Sequence, residues 1–403
     1  VCQPPADAAL IDEVAVLRSV EAVDPAEWDA IASDDYVFQR HGYLLALERA
    51  RVNDGDYRFF TVRDPGGRLV SHACFYSITT PLDVFLPRSR ALARLIATVR
   101  RVRGSFLTLT SVECGVPTAL GPAIAFRSDL SACERRLVLA RLADEMHRFA
   151  TEIGAATIVV RDFHDGETPE TAVLAEKGYR RIPLLETAEI RGGWPTFDDY
   201  LAALRHGYRQ TIRREIARAR RAGLRRQTVI DYAEFAETMA KLWAMTCERS
   251  TTYQRERLTP RFFEGMGRLA GASIRCRLYW LGDEVVGFSW CHPGRRRYAA
   301  TYLGVSYAHN RRAALIFNMY YDCIADGIAA GASTIDLGIG TYDLKARLGA
   351  ERAPLYAFAR HRLRGMTPLL ARALGWLTPR HEGATRHVFK HAPSDLGIPR
   401  RED

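Results

Sequence analysis

The sequence predicts an α/β protein built twice over, each half a mixed central sheet flanked by helices. Three observations predict it. Runs with β-type alternation recur between turns rich in Gly and Pro. Stretches of helical periodicity stop at Gly154, Gly178, Gly331 and Gly349, as helices that end in a left-handed residue do. The order hairpin, strand, helix, strand, helix, strand occurs once before residue 191 and again after residue 273.

In the first half, strands Tyr57–Val62 and Leu69–Ile78 flank the turn Asp64-Pro65-Gly66-Gly67, and Phe106–Thr110 is a candidate third strand. Cys133–Ile153 follows as a long amphipathic helix. Ala156–Arg161 is then a strand, Pro169–Lys177 a helix and Tyr179–Ile190 a strand. The join falls at Arg191–Tyr200, which carries Gly192, Gly193 and Pro195.

In the second half, Ile274–Leu281 and Val285–His292 form a hairpin around Gly282-Asp283-Glu284, and Arg297–Val305 is a third strand. A helix is expected from about Arg311 to Ala330, with Ala314, Ile316, Phe317, Tyr320, Ile324 and Ile328 on its apolar side. Ser333–Leu337 is a short strand, Gly338–Thr341 a loop, Tyr342–Leu348 a short helix and Pro354–Leu363 a last strand. The domains expected are therefore 1–195 and 196–365. A tail, 366–403, holds an apolar helical piece at Leu369–Leu377 and then a polar stretch, disordered or capping the site.

Composition narrows the function. With 403 residues, 47% of them apolar, the chain can build two ordinary cores and is not disordered. No run of 18 apolar residues is present, so no membrane span is expected. Val1–Pro5 lacks the basic-then-apolar pattern of a leader, so none is expected. The eight cysteines form no C-x-x-C pair and the histidines no finger spacing, which argues against a zinc module or any other metal site. A reduced, cytoplasmic setting is expected. Gly287–Cys291 lacks the second glycine of a nucleophile elbow, Gly338-Ile339-Gly340 is only a fragment of a dinucleotide loop, and there is no Walker loop.

Two constellations remain. The net charge is +10, and Leu204–Arg226 alone contributes +8, from Arg205, Arg209, Arg213, Arg214, Arg218, Arg220, Arg221, Arg225 and Arg226 against Glu215. Tyr208, Ile212, Ile216, Ala219 and Gly223 make a thin apolar stripe at helical spacing. A helix docked by one narrow face, with arginine over the rest, is an electrostatic footprint for a polyanion. The alternatives are a solvated helix or a grip on one phosphate-bearing small substrate. The second constellation lies at Tyr302–Gly349, where a strand ending in Asp336 leads into the loop and then Tyr342-Asp343-Leu344-Lys345. Strand ends and the loops after them are where open α/β sheets place chemistry. Lys345 is one of only four lysines, with Lys177, Lys241 and Lys390. A lysine there can offer positive charge to a developing oxyanion, or simply face solvent.

The strand–strand–strand–helix–strand–helix–strand order resembles the GNAT acyltransferase fold. The duplication, the Arg-rich helix opening the second half and the run Asp336–Phe358 resemble the Fem-like branch, with two tandem GNAT-like domains. The first half, through Glu27–Glu48 and the hairpin Gly66–Tyr76, fits more loosely. The resemblance implies an amide-forming transferase that moves an amino acid from aminoacyl-tRNA to an amine of a small molecule or peptide, such as a natural-product or cell-wall precursor. Leu344-Lys345 stands where the bridge-forming enzymes have an aromatic–lysine pair, so the charge role carries over and the stacking role does not. GNAT enzymes also open the helix after the third strand with a glycine-rich pyrophosphate loop. Here the stretch is His309–Ala314, without glycine, although backbone amides at a helix start still favour phosphate and Arg311 and Arg312 can add to that.

The candidate roles follow. Lys345 stabilises the oxyanion, and Asp343 and Asp336 orient or deprotonate the amine. Tyr302, Asn318, Tyr342 and Thr341 line the substrate pocket. Arg209, Arg213, Arg214, Arg218, Arg221 and Arg225 hold the tRNA acceptor stem by phosphate contacts. No cofactor is expected beyond the donor co-substrate. An acyl-CoA or acyl-carrier donor, and a non-catalytic RNA- or anion-binding protein, stay open as alternatives.

Overall fold

The computed structural model describes residues 12–81, 96, 98–101, 106–164, 168–249, 256–377 and 386–390. In chain order it begins β1 (Glu13–Leu17), α1 (Pro25–Asp29), α2 (His41–Ala50), β2 (Asp56–Arg63), β3 (Leu69–Pro81), β4 (Thr108–Cys114) and β5 (Ile124–Phe126). It continues α3 (Ala132–Glu152), β6 (Thr157–Phe163), α4 (Ala172–Glu176), β7 (Arg180–Pro183) and β8 (Thr187–Arg191). Next come α5 (Phe197–Ala203), α6 (His206–Arg221), β9 (Arg225–Val229), α7 (Ala236–Arg249), α8 (Pro260–Ala270), β10 (Arg275–Leu281), β11 (Glu284–Pro293) and β12 (Arg297–Val305). The last are α9 (Tyr307–Ala313), α10 (Leu315–Ala329), β13 (Thr334–Asp336), α11 (Tyr342–Ala346), β14 (Glu351–Ala353), β15 (Tyr356–His361) and α12 (Thr367–Leu377).

Two mixed sheets result, so the α/β class and the duplication stand. The first runs β1-β2-β3-β4-β6-β15-β7, with β5 also on β3, and the second runs β14-β8-β13-β12-β11-β10-β9. Each contains one parallel pair, β4 with β6 and β12 with β13, among antiparallel neighbours. Packing divides the chain into two units. One draws on Val1–Ala32, Asn53–Leu185 and Leu355–Arg380, the other on Ser33–Val52, Glu186–Pro354 and His381–Asp403.

The units are thus not consecutive blocks meeting at residue 195. The run Tyr179–Ile190, read as one strand, is two. β7 ends at Pro183 in the first sheet, and β8, buried at Thr187–Ile190, is an inner strand of the second. The strand expected last in the second domain, β15, instead crosses back between β6 and β7. Its Ala357, Phe358 and Ala359 are almost wholly buried there, and burial on both faces suits an inner strand.

In the first unit α3 covers the sheet. Ser131 and Glu134 form a capping box at its start, satisfying backbone donors that the helix leaves open. Val138, Leu139, Leu142, Met146 and Phe149 pack on Phe60, Val62, Val112 and Ile158, each such side chain contributing about 1.5–3 kcal/mol by leaving water. In the second unit α10 does the same, with Tyr320, Ile324 and Ile328 over Tyr298, Ala300, Ile335 and Leu337. The single helix expected over residues 311–330 is broken. Ala314, at φ 47°, separates α9 from α10.

The apolar piece of the tail is α12. Of the polar stretch beyond it only 386–390 is described. Phe389 of that stretch stacks on Trp194 at 5.3 Å and fills the space where a Cβ on Gly349 would lie. The remainder of the tail lies outside the described residues. No helix among the described residues is long and apolar enough to cross a membrane.

Candidate active site

The second sheet opens where its parallel pair ends. β13 stops at Asp336, so β12 is paired with it only over Arg297–Ala299. Ala300–Val305 has no strand on that edge among the described residues. Trp290 pairs with Tyr302 and Cys291 with Ala300, so Thr301 is an extra residue. Such a bulge re-aims the side chains that follow it. Tyr298 and Ala300 face α10, whereas Tyr302 stacks on Trp290 at 5.5 Å and keeps 9% of its surface exposed.

The loop beside the opening is unusual in its backbone. Gly338, Gly340 and Thr341 have φ of 77°, 74° and 46°. Two glycines take that conformation freely, while Thr341 takes it at a cost of about 1–3 kcal/mol. Side chains hold the loop in place. Asp336 accepts the Gly338 N–H at 2.8 Å, the Thr187 hydroxyl and Arg297 at 3.0 Å. Tyr320 hydrogen-bonds to Thr341. Tyr342 donates to the Glu186 carbonyl at 2.6 Å. Lys345 Nζ donates to the carbonyls of Gly338 at 2.9 Å and Ile339 at 2.8 Å.

Lys345 is 1% exposed. Burial pushes its pKa down to about 7, against the pull of Asp336. The solvent-facing alternative is therefore not what the fold builds. Two carbonyls suffice for the two N–H groups of a neutral amine, so the protonated form carries one further N–H for a substrate atom. Asp343, in the first turn of α11, is exposed. Of the two acids, it is the one placed to meet a substrate. Asp336 is 2% exposed and committed to the loop and Arg297, which makes it a positioning residue. Asn318 is fully buried. Its amide donates to the Glu215 and Ala314 carbonyls at 3.2 and 3.0 Å and its oxygen accepts from Arg226 at 3.0 Å. It joins α6 to α10 and has no open edge for a ligand.

The expected Arg-rich helix is α6. Ile212 and Ala219 are its buried residues, with Tyr208 and Ile216 partly buried beside them. Gly223 lies past its end as a left-handed turn, at φ 78°, so Arg225 and Arg226 stand on β9 instead. Arg213, Arg214, Arg218, Arg220 and Arg221 are exposed. Of these, Arg214 donates to Thr211, and none forms an ion pair among the described residues. Arg209 donates to the Ala202 and Leu204 carbonyls. Arg225 donates to the Gly282 carbonyl and lies 5.8 Å over the Trp280 ring. Arg311 and Arg312 are exposed on α9, which packs against α6. Beyond Asn318, Tyr321 donates to Glu215 and Arg226 pairs with Asp322 at 2.6 Å. The basic face and the opening thus belong to one packed body.

With this geometry in hand, a family model described as an acetyltransferase (GNAT) domain matches residues 206–346. That span holds α6, the opening and Lys345. Over that span the chain is similar to the GNAT acetyltransferase domain. FemX shares the fold over 87% of this chain and 98% of its own, with a TM-score of 0.55 and 13% identity. The C-terminal domain (DUF2156) of a lysylphosphatidylglycerol synthetase from Agrobacterium fabrum covers 91% of this chain and 100% of its own, with a TM-score of 0.51 and 13% identity. At such identities the likeness is one of fold. In sequence the chain is 26% identical, over 80% of its length, to a Mycobacterium tuberculosis protein bearing the name 8-amino-7-oxononanoate synthase 2, and it spans 42% of that protein.

Sequence reasoning missed Glu189, Arg297, Thr187 and Tyr320 at this site. Glu189, which is buried, and Arg297, which is half-buried, are paired beside Asp336. Tyr320 was read only as an apolar helix position. Among the described residues no cluster of His, Cys, Asp or Glu is fit to hold a metal.

Proposed function

We propose that this acyltransferase takes its acyl group from aminoacyl-tRNA and passes it to an amine of a small molecule or peptide. The observation that carries the reading is α6, an exposed arginine face without ion-pair partners among the described residues, joined through Asn318 and Tyr321 to the helix behind the opening. A tRNA acceptor stem would lie along Arg213, Arg214, Arg218 and Arg221, with Arg311 and Arg312 adjoining, through phosphate contacts that read no sequence.

The donor end of the site supports the same reading. A pyrophosphate-bearing donor is usually met by free backbone amides at a helix start. Here α9 precedes α10 directly, and the Ile316 amide is already capped by Asn310 at 3.0 Å. In the reaction the amine nitrogen attacks the ester carbonyl, the bond to the ribose oxygen breaks, and that oxygen takes up a proton. Alignment and charge stabilisation suffice for such aminolysis. Asp343 orients the amine and accepts its proton. Lys345, while protonated, holds the loop through two N–H groups and presents the third to the oxyanion. Tyr302, Thr341 and Tyr342 shape the opening, and no cofactor is needed. Charged tRNA is a cytoplasmic donor, which places the reaction there.

The test is transfer of label from bulk tRNA charged with radioactive amino acids into acid-soluble amide, using a small-molecule extract as the amine pool. Product formation abolished by ribonuclease supports the proposal. Ribonuclease-insensitive product that depends on an acyl-CoA or an acyl carrier would replace tRNA with that donor.

A further inference from the structure

A second surface, in the first unit, takes no part in that chemistry. Between Glu351 and Glu382 the sequence holds six arginines and no acidic residue. Within it, Tyr356–Leu377 folds as β15, a short turn and α12. One side of α12 is spent on the core, with Leu370, Ala371 and Leu374 against Ile182, Ala357 and Ala359. The turn that leads into α12 and the first turn of the helix carry exposed apolar side chains. Leu363 is 61% exposed, Met366 44% and Leu369 61%. Three exposed apolar side chains at three-residue spacing make a patch of the kind that marks an interaction site.

Beside this ledge lies an open cavity of about 350 Å³, with Arg360, Arg364, Lys177 and His147 in its wall. Its two acids are already neutralised. Asp144 is clasped by Lys177 at 2.6 Å, and Glu176 pairs with Arg136. Arg364 donates only to the Glu176 carbonyl, at 3.1 Å, and Arg360 lies 5.9 Å over the Tyr179 ring. Neither guanidinium meets a carboxylate among the described residues. The cavity therefore keeps an uncompensated positive charge, and Arg364 belongs both to it and to the turn that carries the ledge.

We infer that this face docks on an anionic phospholipid bilayer. A lipid phosphate sits between Arg360 and Arg364, and Leu363, Met366 and Leu369 enter the boundary between headgroups and acyl chains. The pairing of a cationic cavity with a bare apolar ledge matches an amphiphile with a charged head. A protein partner would need acidic and apolar groups in the same arrangement, and a free phosphate would leave the ledge uncovered. Apolar burial together with attraction to anionic lipid is how peripheral proteins bind membranes.

The experiment is co-sedimentation of the full chain with vesicles of phosphatidylcholine alone and of phosphatidylcholine mixed with phosphatidylglycerol, at about 0.1 M salt. Binding is expected to the mixed vesicles only. Leu363→Ser, Met366→Ser and Leu369→Ser together should weaken it about tenfold or more, as should Arg360→Gln with Arg364→Gln. All five side chains lie at the surface or in the cavity wall, and circular dichroism checks that each variant is folded. Because α6 is itself strongly basic, Arg213→Ser, Arg214→Ser and Arg218→Ser together serve as the control and should leave most vesicle binding in place. Several results would overturn the inference: no binding to mixed vesicles, loss only in the α6 control, or equal binding to both compositions. So would inorganic phosphate binding at the cavity with no effect of the ledge. A dimer that dissolves when the ledge is replaced, without vesicle binding, would assign the ledge to a second copy of this chain instead.

Discussion

Two loop carbonyls and a buried setting decide what Lys345 can do. With a pKa near 7, its charge is lost just above neutrality. If the protonated amine meets the oxyanion, kcat/KM should carry a falling limb centred near pH 7, since that ratio reports the free enzyme. Lys345→Met should lower turnover on the order of 10²-fold while donor binding changes little, because oxyanion contacts act mainly in the transition state. A limb that rises through pH 7 would make the lysine a base instead. The same shift has a consequence for stability. The ordinary lysine value of 10.5 applies to the unfolded chain, so between about 7 and 10.5 the unfolded state binds the extra proton. Stability must then rise with pH across that window. Thermal unfolding of the wild type should show this rise, and Lys345→Met should flatten it. Gly349 makes a separate point. At φ 82°, with the Phe389 ring where a Cβ would lie, Gly349→Ala should cost about 1–3 kcal/mol in denaturant unfolding. Lys345 was legible in the sequence because lysine is scarce and the residue follows a strand end. The positioning role of Asp336 was not, because Thr187 and Arg297 reach it from distant strands.

Among the elements, α6 was the most legible, since six arginines against one glutamate leave only one way to dock a helix. If it holds phosphates, replacing Arg213, Arg214 and Arg218 by Ser should reduce the slope of log affinity against log salt by about 2–3. An unchanged slope would make the helix a bystander. The hairpins of both halves and the glycine-terminated helices were legible as well, because turn chemistry and periodicity are local. The break at Ala314 was hidden, since the apolar spacing runs straight through it. The β12–β13 opening and the bulge at Thr301 were hidden too. They depend on where β13 stops, and no residue type near Asp336 announces that.

Across the whole molecule, the duplication could be read from element order, but the exchange of β8 and β15 between the sheets could not. Sheet membership is decided by partners that are remote in sequence, and Thr187–Arg191 and Tyr356–His361 suit an inner position in either sheet. Both units enclose a histidine that burial keeps neutral. Burial pushes His72 in the first and His292 in the second down to about 3. Their unfolded pKa is near 6.5, so the unfolded chain binds these protons first. Stability should therefore fall as pH drops from about 6.5 toward 3, by on the order of a few kcal/mol per histidine. Urea midpoints at pH 7 and pH 5 measure the onset, and a midpoint that holds steady between them would contradict it. The central claim concerns the donor, and one titration tests it most directly. The purified chain is titrated with bulk aminoacylated tRNA at about 50 and 200 mM salt, with excess CoA present as competitor. The account predicts tight binding that weakens on the order of 10²–10³-fold between the two salts, as several phosphate contacts require, and that CoA does not displace. Weak tRNA binding beside saturable CoA binding would contradict it.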